Sequence, residues 1–133
     1  MRPITDTYAV SPQISAEDMP AIKAAGITTV ICNRPDAEVP PSHQAAAIGA
    51  AAEAEGLVFH VLPITHQTLT PENVARQKAL IEGAGGPVLA YCASGTRSTI
   101  VWALGQAGER PAEEIIGAAA QAGYDLSGLR GAL

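Results

Sequence analysis

An α/β fold, with a mostly parallel central sheet flanked by helices, is the architecture this sequence predicts. Three observations carry that reading. Short β-branched runs alternate with longer alanine-rich segments along the chain. Glycines follow the alanine-rich segments, while Ser, Thr or Pro opens them. The run Pro87–Tyr91 is apolar throughout and bounded by turn residues, as a fully buried strand would be. With 133 residues, of which 47% are hydrophobic and 16% charged, the chain can bury its own core, and one domain spanning 1–133 is expected.

The elements follow in order. Thr7–Val10 reads as an opening strand. Ser15, with Asp18 three residues on, forms a capping-box start for a helix through about Ala25; Pro20 falls early in it and Gly26 ends it. Thr28–Cys32 is the next strand, followed by an Asn33–Glu38 loop and a Pro40-Pro41 turn. Ser42 reads as the cap of a helix through Glu55, closed by Gly56. Leu57–Leu62 forms a further strand and Pro63–Thr70 a polar loop. Thr70-Pro71-Glu72 is a strong helix start, and that helix runs to about Gly83. After the Pro87–Tyr91 strand, one helix follows Arg97 to about Gly108. A last helix runs from Pro111 to near Gly123. The tail, Tyr124–Leu133, is expected to be irregular and to lie on the surface.

Bulk properties narrow the function. A net charge of −5 and a pI near 5.0 argue against a nucleic-acid surface. No stretch approaches the ~18 apolar residues of a membrane span, and the first residues lack the apolar core of a signal peptide. Two cysteines are too few for a disulfide scaffold, so a cytoplasmic location is the expectation. Three histidines and two cysteines lack metal-ligand spacing, so no metal and no cofactor are assigned.

The chemistry centres on Cys92-Ala93-Ser94-Gly95-Thr96-Arg97-Ser98. A thiol at the carboxyl end of a buried strand, followed by a small-residue loop and a helix start, meets several backbone N–H groups, which favours a thiolate nucleophile. The amides of Ala93–Arg97 would cradle an anion, Gly95 would turn the loop at positive φ, and Arg97 would clamp the anion bidentately. Ser98 is either a helix cap or a hydrogen-bond partner of the sulfur. Ligands of open α/β sheets bind at the carboxyl ends of the strands, so Cys32, Asn33, Arg34, Pro63–Thr70 and Cys92–Arg97 should share one edge. Arg34 and Asp36 are either substrate contacts or an internal Arg–carboxylate pair that pins the loop. Cys32 is either a resolving thiol or a buried core residue. His66 is the histidine expected to face the site.

Asn33-Arg34-Pro35-Asp36-x-Glu38, Tyr91-Cys92-x-Ser94-Gly95-Thr96-Arg97-Ser98 and Gly123-Tyr124-Asp125-Leu126-Ser127 together resemble the phosphatase-like domain of beta-lactamase-hydrolase-like proteins. The resemblance runs from about Ile14 to Arg130 and implies a fold of the protein tyrosine phosphatase type. It leaves the reaction split, because the family also carries a sulfurtransferase label and occurs fused to persulfide-oxidising metalloenzymes. Tyrosine phosphatases place five residues between cysteine and arginine; here only Ala93, Ser94, Gly95 and Thr96 intervene, the spacing of rhodanese sulfurtransferases. Ala93 also stands where many relatives carry a second arginine. A phosphatase ordinarily uses an aspartic acid to protonate the leaving alcohol, an effect of roughly 10²–10⁴-fold. The Pro63–Thr70 loop has no carboxylate, leaving His66 or a shifted Asp36 as substitutes.

Three readings follow. The first, favoured on sequence, is a sulfurtransferase that takes sulfane sulfur from a persulfide or thiosulfate onto Cys92. A thiol acceptor then discharges it, with a persulfide-oxidising enzyme as a possible partner. The second is a hydrolase of phosphate esters through a Cys92 phosphocysteine. The third is a non-catalytic anion or persulfide sensor. No nucleic acid or membrane partner is expected under any of them.

Overall fold

The computed structural model describes residues 1–133 and carries a five-stranded sheet. Its strands are β1 (Arg2–Pro3), β2 (Tyr8–Ser11), β3 (Thr29–Cys32), β4 (Val58–Val61) and β5 (Val88–Tyr91). They are ordered β1-β2-β5-β3-β4, and only β1 runs antiparallel to its neighbour. The helices are α1 (Met19–Ala24), α2 (Ala45–Ala54), α3 (Pro71–Glu82), α4 (Thr96–Gln106) and α5 (Ala112–Gln121). None is long and apolar enough to cross a membrane. The predicted α/β class with a mostly parallel sheet is what the chain adopts.

Strand alternation divides the core into two layers. Tyr8, Val10, Ile31, Val88 and Ala90 face one cluster with Trp102 of α4 and Ile115 of α5. Ala9, Val30, Cys32, Leu89 and Tyr91 face the other, with Met19 of α1 and Ile48 of α2. The central strand β5 is buried over its full length, which explains why its sequence is apolar without alternation.

Local signals behave as chemistry requires, with four departures. Thr70 Oγ1 accepts from the Asn73 N–H at 3.2 Å, the cap expected for α3. Asp18 accepts from the Ser15 N–H at 2.9 Å, but residues 16–18 form a 3-10 turn before α1 rather than its first turn. Ser42 does not cap α2: residues 41–43 make their own 3-10 turn, and Gln44 occupies the cap position. Instead, Asp36 Oδ1 accepts from the Ala45 N–H at 2.8 Å, so a carboxylate nine residues upstream of the helix body does the capping. The tail lies on the surface only beyond Leu126 and is not irregular there. Tyr124 and Leu126 are buried in the α4/α5 cluster, and Ser127–Ala132 forms a 3-10 helix. Arg2–Pro3, unsignalled by a two-residue run, pairs with β2 as an edge strand, where proline's missing N–H is tolerated.

One buried polar network sets where α4 begins. Asn33, immediately after β3, donates from Nδ2 to the Leu62 carbonyl and to Gln77 Oε1, both at 2.9 Å. Its Oδ1 accepts from Ser98 Oγ at 2.8 Å and from Gln77 Nε2 at 3.2 Å. Tyr8 Oη accepts from Gln77 Nε2 at 3.2 Å and donates to the Ser98 carbonyl at 2.7 Å. Burial pushes the Tyr8 phenol far above its ordinary range, so it remains a neutral donor. Asn33, Gln77, Ser98 and Tyr8 are all buried. Replacing Gln77 with Leu strips partners from both Asn33 and Tyr8, and is predicted to cost about 1–3 kcal/mol in urea unfolding. An unchanged urea midpoint would show that the network carries no stability.

Candidate active site

Cys92 follows β5 directly. Its N–H donates to the Ser11 carbonyl at 3.4 Å, while the Gln13 N–H donates to the Ala93 carbonyl at 3.2 Å. The loop therefore starts by extending the sheet toward β2. It then turns through Gly95, at φ 94°, and enters α4 at Thr96. That left-handed conformation requires glycine here, and a Cβ at Gly95 would collide with Tyr124 Oη. Tyr124 Oη in turn donates to the Ser94 carbonyl at 2.8 Å, so the tail holds the loop from outside. Tyr124 escapes a reading that treats the tail as irregular; the Gly123–Ser127 string in the family resemblance was its one signal.

The predicted residues distribute unevenly. The Gly95 N–H points at Cys92 Sγ, at 3.1 Å. The Thr96 N–H is satisfied by Ser94 Oγ at 3.3 Å, and Ala93, Ser94 and Thr96 are exposed. Of the expected amide cradle, one donor reaches the sulfur. Ser98 neither caps α4 nor bonds the sulfur; its hydroxyl belongs to Asn33. Cys92 itself is 1% exposed, at the floor of the loop.

Arg97 reaches from the start of α4 to Glu38. Its Nη1 donates to Glu38 Oε2 at 2.9 Å and its Nη2 to Oε1 at 2.7 Å, a bidentate fork. Nη1 also donates to the Ile64 carbonyl at 2.9 Å. The Glu38 fork raises Arg97 above its ordinary range, and Cys92 adds to that in the same direction. Arg34 reaches the same carboxylate, with Nε 3.2 Å from Oε1, and donates from Nη1 to Gln13 Oε1 at 3.2 Å. Hydrogen bonds from Arg97 first, then Arg34, hold Glu38 below the usual carboxylate range. Arg34 thus belongs to an internal Arg–carboxylate cluster, but its partner is Glu38 rather than Asp36. Glu38 was visible in the Asn33–Glu38 string, yet nothing in the sequence pointed it at an arginine 59 residues away.

Asp36 caps α2 and stays outside the cleft. His66 lies on the rim of a cleft of about 270 Å³ whose walls include Glu38, Arg97, Ile64, Leu69 and Ile100; it shares that cleft with Arg97, while Cys92 is not among the lining residues. Cys32 packs in the α1/α2 cluster, donates to the Arg34 carbonyl at 3.3 Å, and is pushed up by burial. Both cysteines are free, and Cys32 is a protonated core thiol. No group of three His, Cys, Asp or Glu side chains is arranged to hold a metal ion.

This geometry, an arginine-flanked thiol at the end of a parallel strand, can be set beside known proteins. The family model for the phosphatase-like domain of beta-lactamase hydrolase-like proteins matches residues 1–109. The chain belongs to this family. A beta-lactamase hydrolase-like protein of Agrobacterium fabrum is 30% identical over 104 residues, covering 78% of this chain and 24% of that protein. One from Xylella fastidiosa is 28% identical over 92% of this chain and 29% of its own length. The chain thus spans about a quarter of the length of these curated relatives. A crystal structure from Neisseria meningitidis Z2491, described as a candidate phosphatase, is 36% identical with a TM-score of 0.87, covering 98% of this chain and 93% of that one. PTPMT1 shares the fold at 18% identity and a TM-score of 0.73, over 90% of this chain and 80% of its own. The fold is that of the tyrosine phosphatase-like members, as the resemblance implied.

Two predictions follow from the site. Gly95→Ala should cost on the order of 1–3 kcal/mol, from the forced φ alone, in thermal unfolding. The Glu38 fork should also be pH-dependent. A carboxylate whose folded pKa is depressed contributes its full stability above its ordinary pKa of about 4.5 and loses it as pH falls through the folded value. Because its side chain is 35% exposed, that contribution is about 0.5–1 kcal/mol. The stability gap between wild type and Glu38→Gln should stay level near neutral pH and close at acid pH; a gap that persists in acid would remove the ion pair as its cause.

Proposed function

We propose that the chain is a cysteine-dependent hydrolase of phosphate monoesters, acting through Cys92. The observation that carries the reading is the pairing of Cys92 Sγ, held by the Gly95 N–H, with Arg97, on a fold and in a family of phosphatase type. In this mechanism the Cys92 thiolate attacks phosphorus and the ester P–O bond breaks. The leaving oxygen takes a proton from solvent or from His66 on the cleft rim. Water then hydrolyses the phosphocysteine, releasing phosphate and restoring the thiol. Arg97 neutralises the phosphoryl oxygens during both steps.

A second reading, sulfur transfer, is favoured by the four-residue loop and by the lack of a free carboxylate at the cleft. Glu38 is engaged by two arginines and Asp36 caps α2. Here Cys92 attacks the sulfane sulfur of a persulfide or thiosulfate, the S–S bond breaks, and a thiolate or sulfite departs as an anion needing no proton. A thiol acceptor then takes the sulfur from the Cys92 persulfide, and a persulfide-oxidising enzyme is a fitting partner. Under either reading the chain works without a cofactor.

One experiment separates the two. Wild type and Cys92→Ser are incubated with p-nitrophenyl phosphate, glutathione persulfide and thiosulfate in parallel, and followed by nitrophenol release and intact mass. Hydrolysis predicts nitrophenol release that the variant loses by at least about 10³-fold. A one-sulfur adduct on Cys92 that a thiol discharges, without nitrophenol release, would overturn it in favour of sulfur transfer.

A further inference from the structure

We infer that the cleft beside Arg97 continues into an apolar groove between α3 and α4, and that this groove binds the alkyl part of a small amphiphilic phosphate monoester. The choice of headgroup rests on the hydrolase reading; the groove rests on its own geometry. The near cleft, about 270 Å³, has Arg97 at one end and Ile64, Leu69 and Ile100 as its apolar walls. A second cleft of about 420 Å³ lies beyond, lined by Leu69, Val74, Leu104 and Gly105 among others. Leu69 is a wall of both. On α4, Arg97, Ile100 and Leu104 fall at i, i+3 and i+7, so one helix face leads from the guanidinium into the far cleft over about 10 Å.

Two further features keep the far cleft open and apolar. Gly105 faces α3, and a Cβ there would meet Lys78 and Val74 at 3.5–3.8 Å, ordinary contact without backbone strain. The absent side chain is therefore what leaves the space; a larger residue would fill it. Lys78 turns its ammonium to Glu109 and to Glu82, the latter at 3.5 Å, which leaves its methylenes as groove wall. The clefts thus place Arg97, with its partner Glu38, at one end and mostly apolar surface beyond it, with Thr65, His66 and Gln67 on the near rim and Thr70 on the far one; that distribution suits the headgroup and tail of an alkyl phosphate. A phosphopeptide would instead call for polar partners for its backbone along the α3/α4 floor, where Val74, Ile100, Leu104 and Gly105 offer no side-chain donor or acceptor; the polar lining, Thr65, His66, Gln67 and Thr70, belongs to the loop before α3.

Calorimetric titration of the wild-type protein with methyl-, phenyl- and octylphosphonate, below the micellar concentration, tests this without requiring turnover. Each buried methylene strengthens binding by about fourfold, so octylphosphonate should bind at least about tenfold tighter than methylphosphonate even with partial burial. Gly105→Leu should abolish that gain while leaving methylphosphonate unchanged, and Leu104→Glu should do the same if the first variant misfolds. Arg97→Ala should weaken all three. Equal affinity for octyl and methyl, or for octyl and phenyl, would overturn the groove, as would octyl binding that ignores Arg97. Graded binding without nitrophenol release leaves the groove standing and removes the hydrolase; release without graded binding does the reverse.

Discussion

The position of α4 depends on one side chain, Asn33. It stands at the end of β3, buried, and fills all of its hydrogen-bonding capacity with the Leu62 carbonyl, Gln77 and Ser98. Those partners come from the end of β4, from α3 and from α4, so a single amide fixes three elements against the sheet edge that carries Cys92. A fully satisfied buried network is costly to break and admits few alternative geometries. The loop from Cys92 to Arg97 is consequently strung between two fixed points, the end of β5 and Ser98. Its conformation owes little to its own exposed residues and much to the anchors at each end.

That division explains what the sequence disclosed. Strands and helices were legible because burial imposes periodicity: β5 is apolar throughout since both its faces are covered, and Thr70-Pro71 or Gly26 announce helix ends by local chemistry. Cys92 and Arg97 were legible for the same reason, sitting at fixed offsets from a recognisable strand end. What stayed hidden was long-range polar pairing. Ser98 has the composition of a cap, yet its hydroxyl is claimed by a residue 65 positions earlier. Asp36 looks like a site acid, yet the nearest unsatisfied helix N–H claims it. Glu38 and Tyr124 reach Arg97 and the loop across 59 and 30 positions, and no periodicity encodes such a contact. The tail was misread because Tyr124 and Leu126 bury themselves without a regular pattern.

The hidden contacts are also the ones that bear on chemistry. A four-residue loop brings a single N–H, that of Gly95, onto the sulfur, so less of the stabilisation of an anion can come from backbone dipoles. More must then come from Arg97. Its placement by Glu38 and Ile64 holds a long, flexible side chain in one geometry before any substrate arrives, and fixing it in advance reduces the entropy lost on binding.

Glu38 does not have to leave for Arg97 to act. A guanidinium carries five N–H donors. Two on Nη1 go to Glu38 Oε2 and the Ile64 carbonyl, and one on Nη2 goes to Glu38 Oε1. The Nε–H and the remaining Nη2–H are left, and they lie on the same edge of the planar group. Adjacent parallel donors of that kind match two oxygens of a phosphate or sulfonate. The carboxylate therefore occupies the tip of the fork and leaves its side edge as the anion-binding face. Arg34, sharing the same carboxylate, offsets the negative charge that Glu38 would otherwise present to an incoming anion. Two arginines and one glutamate give the cluster a net charge of about +1, enough to attract an oxyanion while the rest of the acidic chain repels it.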